Sequence, residues 1–218
     1  MSIPLRKVEL TQEDEANVAR SRMYALLGLG FSYPGEGLEE SQNELWGLTR
    51  ALYPELLKTD EPASVTAKAL EPEYIVMFDG VDRRRHVKPY EALWYEGDRG
   101  KRQWEVKQFY RFFGLSLESG KNEMPDKVAA ELEFMHVLAY RSVLAKNAAQ
   151  GGGMTQDPNE YQHYRAAQRD FLGRHLAKWL PQFCERVVEV TEQPYYTLLA
   201  KVASRFVQDD LEWLSADP

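Results

Sequence analysis

The chain is predicted to be all-α, and three observations lead there. Apolar residues recur at three- and four-residue spacing along most of its length. No segment alternates apolar and polar residues as a half-buried strand would. Proline and glycine punctuate the periodic stretches at intervals suited to ordinary helices, giving about eight to ten of them in a single compact domain over residues 1–218.

The elements follow in order. Thr11 caps a helix over about 12–32, with Glu13, Asp14 and Glu15 at its positive end and Val18, Met23, Leu26, Leu27 and Phe31 on its apolar side. Tyr33-Pro34-Gly35 ends it. Leu38, Leu45, Leu48 and Leu52 mark a second helix over about 38–53, and Lys58 to Pro62 reads as loop. A third runs through Tyr74–Phe78 and stops at Gly80, with Pro72 delaying its start. Residues 81–101 are polar and broken, yet hold Tyr90, Trp94 and Tyr95. Gln103 to Phe113 is helical again, and Gly114 stops it.

The central helix opens at Pro125, a residue suited to a first helical turn, with Asp126 beside it, and continues to about Leu144. It is apolar nearly all round, which marks a buried helix. Glu131 and Glu133 sit within it, and buried carboxylates need partners. Gly151-Gly-Gly153 lies in a flexible connection over 150–157, a place where helices can exchange between protomers. Asp157-Pro158 restarts a helix carrying Tyr161, Tyr164, Phe171, Leu172 and Leu176. Pro181 and Pro194 each open a further helix, the last lined by Tyr195, Leu198, Leu199, Val202 and Phe206.

Composition excludes several functions. The net charge of −7 disfavours nucleic acid as the main partner and favours basic protein segments. One cysteine, Cys184, rules out a disulfide within the chain and fits a reducing compartment; it reads as a small buried apolar residue. No apolar run approaches the ~18 residues of a membrane span. The acidic N-terminal stretch lacks a secretory pattern, so the expected location is cytoplasmic.

Two Glu-x-x-His pairs, Glu133…His136 and Glu160…His163, place a carboxylate and an imidazole on one helix face, as in carboxylate-bridged di-metal bundles. A di-metal enzyme is therefore the alternative reading, although no further glutamates are singled out as the remaining ligands. No nucleophile elbow or phosphate loop occurs. Arg83-Arg84-Arg85 with Lys88 reads as a solvated loop or a contact for an acidic segment. Tyr90, Glu91, Trp94 and Tyr95 combine rings and a carboxylate, which suits an apolar peptide bearing arginines, or else simply covers a core edge.

Several segments together resemble the TorD/DmsD/NarJ family of molybdoenzyme maturation chaperones. They are Glu73–Gly80, Pro89-Tyr90-Glu91, Glu105-Val106 with Phe109-Tyr110 and Gly114-Leu115, and Pro125-Asp126-Lys127 followed by Glu131-Leu-Glu-Phe-Met135. Phe171, His175-Leu176, Trp179, Pro181 and Phe183-Cys184 extend the likeness. The resemblance implies an all-helical chaperone with no catalytic residue, metal or cofactor of its own. Its partner would be the apo catalytic subunit of a molybdoenzyme of the dimethyl-sulfoxide-reductase type, often bound through a twin-arginine leader and held until molybdopterin is inserted. Asp126 is the leading expected partner-binding residue, with Glu123, Pro125, Lys127, Tyr90, Glu91, Trp94 and Glu131 beside it. Lys127 stands where many members have His, replacing a group that titrates near neutrality by a fixed cation. The expected state is a monomer or a domain-exchanged dimer.

Overall fold

The apolar spacing resolves into nine α-helices and one 3-10 turn among the described residues, with no strand among them. The structure is a computed structural model and describes residues 12–57, 64–117, 124–150, 157 and 159–216. The helices are α1 (Gln12–Gly30), α2 (Leu38–Leu52), α3 (Pro54–Leu57), α4 (Ala67–Phe78), α5 (Arg99–Phe112), α6 (Val128–Gln150), α7 (Glu160–Arg174), α8 (Leu176–Val190) and α9 (Pro194–Ala216). The Thr11 cap, the 58–62 loop, the Gly151–Gly153 connection, Pro158 and Glu123 lie outside the described residues.

Helices α1 and α6 form the most extensive pair and run antiparallel. Gly28 meets Ala129 and Leu132 at one end, and Asp14 meets Lys146 at the other. Gly28 permits this approach, since a Cβ there would stand 3.3 Å from the Ala129 carbonyl oxygen. Helix α7 lies on α6, and α8 and α9 pack together with α9 reaching back to α1. One connected apolar cluster fills the space between them, with Trp179, Tyr24, Phe171 and Phe183 fully buried. Arg20 ties α1 to α9 and α7 through Asp210, 2.7 Å away, and Gln168. No helix among the described residues is long and apolar enough to cross a membrane.

Several boundaries differ from the sequence reading. Helix α4 starts earlier, at Ala67 with Thr66 as its cap, and carries Pro72 inside it at the cost of one backbone hydrogen bond. Pro181 likewise lies inside α8 instead of opening it. The break falls at His175, whose φ −123°, ψ −96° is not helical. Helix α3 and the Asp98 cap that starts α5 four residues early are additions. Gly114 stops α5 as expected, at φ +70°.

Arg85 is no solvated loop residue. It is half-buried, pairs with Glu73 at 2.5 Å and donates to the Val190 carbonyl at 3.0 Å, fastening the 81–90 loop to α4 and the end of α8. Arg83, Arg84 and Lys88 are exposed. Cys184 is buried, and burial pushes its thiol pKa up.

Candidate functional site

Pro89–Glu91 and Asp126–Val128 meet as a two-sided backbone clasp. Glu91 N–H donates to the Asp126 carbonyl at 2.8 Å, and Val128 N–H donates to the Pro89 carbonyl at 2.9 Å. An isolated antiparallel bridge joins Tyr90 to Lys127 between them. The 3-10 turn Glu91–Leu93 then begins with two N–H groups that lack partners within the turn. Asp126 satisfies both: its carbonyl takes Glu91, and its Oδ2 accepts from Ala92 N–H at 3.0 Å. Its Oδ1 accepts from Gln103 of α5 at 3.1 Å.

Asp126 was expected in the first turn of its own helix and at a partner surface. It is fully buried, and Lys127 is the residue whose carbonyl opens α6, accepting from Glu131 N–H at 3.0 Å. The carboxylate caps a neighbouring segment instead. Pro125 accordingly precedes the helix, and its carbonyl takes the Tyr110 hydroxyl at 2.8 Å.

Beneath the clasp, Glu91, Glu131 and Asp126 are each 0% exposed, and buried His175 meets Glu91. Glu91 receives His175 Nδ1 at 3.1 Å and Arg102 at 3.3 Å. Glu131 Oε2 accepts from Trp179 Nε1 at 3.0 Å. Its other oxygen has no donor as a carboxylate, but with a proton it donates to Glu91. Burial first, then the Glu91 charge, pushes the Glu131 pKa well above the usual carboxylate range. Burial and the neighbouring Glu91 thus favour the protonated form of Glu131, while Glu91 itself is engaged by His175 and Arg102. Tyr95 stacks under Arg102 at 4.3 Å, and its pKa is pushed up to about 12 by burial and the Glu91 charge.

The predicted rings sit at the edge of this cluster. Trp94 is half-buried, lies against Trp179 and Phe183 at 6.4 and 6.1 Å, and donates to the Lys88 carbonyl at 2.8 Å. Tyr90 is half-buried on the clasp. The structure therefore gathers Tyr90, Glu91, Trp94, Pro125, Asp126, Lys127 and Glu131 into one region, with the three carboxyls inside and the others at its surface.

A groove of about 760 Å³ adjoins the clasp, between α1, residues 115–117 and α6. Its lining includes Ala25, Gly28, Leu29, Ala129, Ala130 and Val137, all small or apolar. Lys127 and Glu133 also line it, and Glu133 is exposed. Lys127 just precedes α6 and Glu133 lies in its second turn, about 9 Å further along the axis. The exposed apolar stripe continues in helical register through Tyr140 and Leu144. Sequence reading missed this groove; exposed Glu133, Tyr140 and Leu144, with half-buried Val137 between them, contradict a helix buried all round, although α6 is buried on its other faces.

The two Glu-x-x-His pairs do not assemble. His136 is engaged with Ser21 at 2.9 Å, and exposed His163 pairs with Asp157 at 3.0 Å. Among the described residues no three metal-ligating side chains converge.

A sequence profile described as "Nitrate reductase delta subunit" matches residues 38–185. The chain is 32% identical over 214 residues to the perchlorate reductase assembly chaperone protein of Dechloromonas aromatica (strain RCB), covering 91% of each. It is 34% identical over 174 residues to the selenate reductase assembly chaperone protein of Thauera selenatis, covering 79% of this chain and 78% of that one. A crystal structure of a putative redox enzyme maturation protein from Archaeoglobus fulgidus shares the fold, with a TM-score of 0.51, 20% identity, and 94% and 99% coverage.

Proposed function

The chain belongs to the nitrate reductase delta subunit family, as a maturation chaperone and not an enzyme, and from that premise we propose that it holds the apo catalytic subunit of a molybdenum reductase. In this reading the client is of the dimethyl-sulfoxide-reductase type and is retained in the cytoplasm until molybdopterin is inserted. The di-metal enzyme alternative falls with the family assignment.

The α1–α6 groove carries the reading. Its small and apolar floor suits the apolar stretch of a twin-arginine leader, lying as a helix against α1 and α6. Glu133 offers an exposed carboxylate to a leader arginine, and a guanidinium–carboxylate pair is strong and directional. Lys127 at the other end repels the same arginines and so sets the orientation. Lys127, Pro125, Tyr90 and Trp94 are the proposed client contacts of the clasp. Asp126, Glu91 and Glu131 act from beneath by holding that surface in place. Glu123, outside the described residues, stays a proposed contact from sequence.

A native pull-down from the source cell tests this, with the eluate identified by mass spectrometry and assayed for molybdenum. The expected result is a reductase catalytic subunit without its cofactor. Recovery of no reductase subunit, or of one fully loaded with molybdenum, would contradict it.

A further inference from the structure

Helix α5 differs in charge from the rest of the molecule. It carries Arg99, Lys101, Arg102, Lys107 and Arg111 against Glu105 alone, in a chain of net charge −7. Val106 and Tyr110 are buried and fix its inward side. At about 100° per residue, Lys101, Trp104, Lys107, Gln108, Arg111 and Phe112 fall on one outward face, with half-buried Glu105 at its edge. Trp104 is 61% exposed and Phe112 82%, the most exposed large apolar side chain among the described residues. Arg102 is engaged with Glu91 and Tyr95, whereas Lys101, Lys107 and Arg111 make no ion pair among the described residues.

A solvated helix face would balance these cations with more than the single Glu105 and would not keep two largely exposed rings. We propose that this face docks a short acidic segment of a second protein, one presenting several carboxylates and an apolar or aromatic side chain. Charge complementarity selects it: the local cations attract carboxylates, while the rings offer an anchor that solvent does not. A short segment is favoured over an extended polyanion because the acidic remainder of the chain repels a ligand that reaches beyond the α5 face. The occupant is opposite in sign to the basic leader assigned to the α1–α6 groove, so this surface does not depend on that reading.

Fluorescence anisotropy on the full chain tests it with three labelled probes. The first is a peptide of about twelve residues, matching the length of the stripe, with glutamates around a leucine and a phenylalanine. The second replaces every glutamate by glutamine, and the third is a single-stranded oligonucleotide of similar length. The acidic peptide should bind, and the glutamine peptide should bind at least about tenfold more weakly. Lys107→Glu with Arg111→Glu should weaken the acidic peptide about tenfold, and Trp104→Ala should weaken it as well. All three positions are exposed, so circular dichroism should match the parent. Absent binding, equal binding of the glutamine peptide, or full binding by the charge-reversed variant would overturn the proposal. So would tighter binding of the oligonucleotide, which would make α5 a nucleic-acid face.

Discussion

Replacing Asp126 by alanine removes a buried carboxylate that accepts from Ala92 N–H at 3.0 Å and from Gln103 at 3.1 Å. Ala92 is 3% exposed, so its N–H gains no water in exchange. A hydrogen bond to a charged group is worth about 1.5–3 kcal/mol, and an orphaned buried donor costs about 1–3 kcal/mol, two descriptions of much the same loss. Removing a negative charge beside Glu91 and Glu131 returns part of it. The net expectation is a loss of about 2 kcal/mol. Asp126→Asn keeps an acceptor for Ala92, and Gln103 can rotate its amide to face the new NH2, so this change should cost less than about 1 kcal/mol. Urea unfolding followed by circular dichroism measures both. With a slope of about 2 kcal/mol per molar, the alanine variant should shift the midpoint down by about 1 M. Hydrogen exchange at the Ala92 amide should quicken in the alanine variant and not in the asparagine one. Equal stability of Asp126→Ala and the parent would refute the capping role, as would equal damage from both substitutions.

Other consequences follow from the same geometry. A carboxyl whose folded pKa is raised keeps a proton the unfolded chain has released, so its contribution to stability falls as pH rises above about 4.3 toward the raised value. Glu131 is such a group, facing Glu91, Asp126 and Trp179. Glu131→Gln, which mimics the protonated form, should flatten the decline in urea stability between mildly acidic and mildly alkaline pH; an unchanged slope would remove Glu131 as its source. Tyr24 donates to Asp210 at 2.6 Å in a fully buried pair, so Tyr24→Phe should lower stability by about 1–3 kcal/mol, read from the same unfolding curves. At Gly30, an added Cβ would stand 2.7 Å from Leu199 Cδ1 and 3.2 Å from the Tyr195 hydroxyl. Gly30→Ala should therefore cost about 1–3 kcal/mol, and a gain in stability would show that Leu199 can move aside freely.

Sequence periodicity located the long helices because their apolar spacing is local information. The final helix from Pro194, with Tyr195, Leu198, Leu199, Val202 and Phe206 buried, needed nothing else. What was not legible depends on distant partners. His175 breaks α7 from α8 where its ring meets Glu91, 84 positions away in sequence, and nothing near His175 announces that contact. Pro181 looked like a helix start, yet packing of α8 on α9 tolerates one lost hydrogen bond. Glu131 was expected to need a partner, and it has Trp179. The sequence marks Asp126 as the leading partner-binding candidate, and its burial emerges only once Pro89–Glu91 is laid against it. The groove was hidden because it is made by two helices about a hundred residues apart whose contact rests on Gly28.

The proposed seating of the client's leader in the α1–α6 groove is open to a direct test. Isothermal titration of the full chain with a synthetic leader of the reductase recovered by pull-down tests it most directly, comparing the parent with Ala130→Trp, which fills the groove, and Glu133→Lys, which reverses its exposed charge. The parent should bind, Ala130→Trp should lose binding, and Glu133→Lys should bind at least about tenfold more weakly, with helicity unchanged in both. Parental affinity in both variants would place the leader elsewhere on the molecule and contradict it.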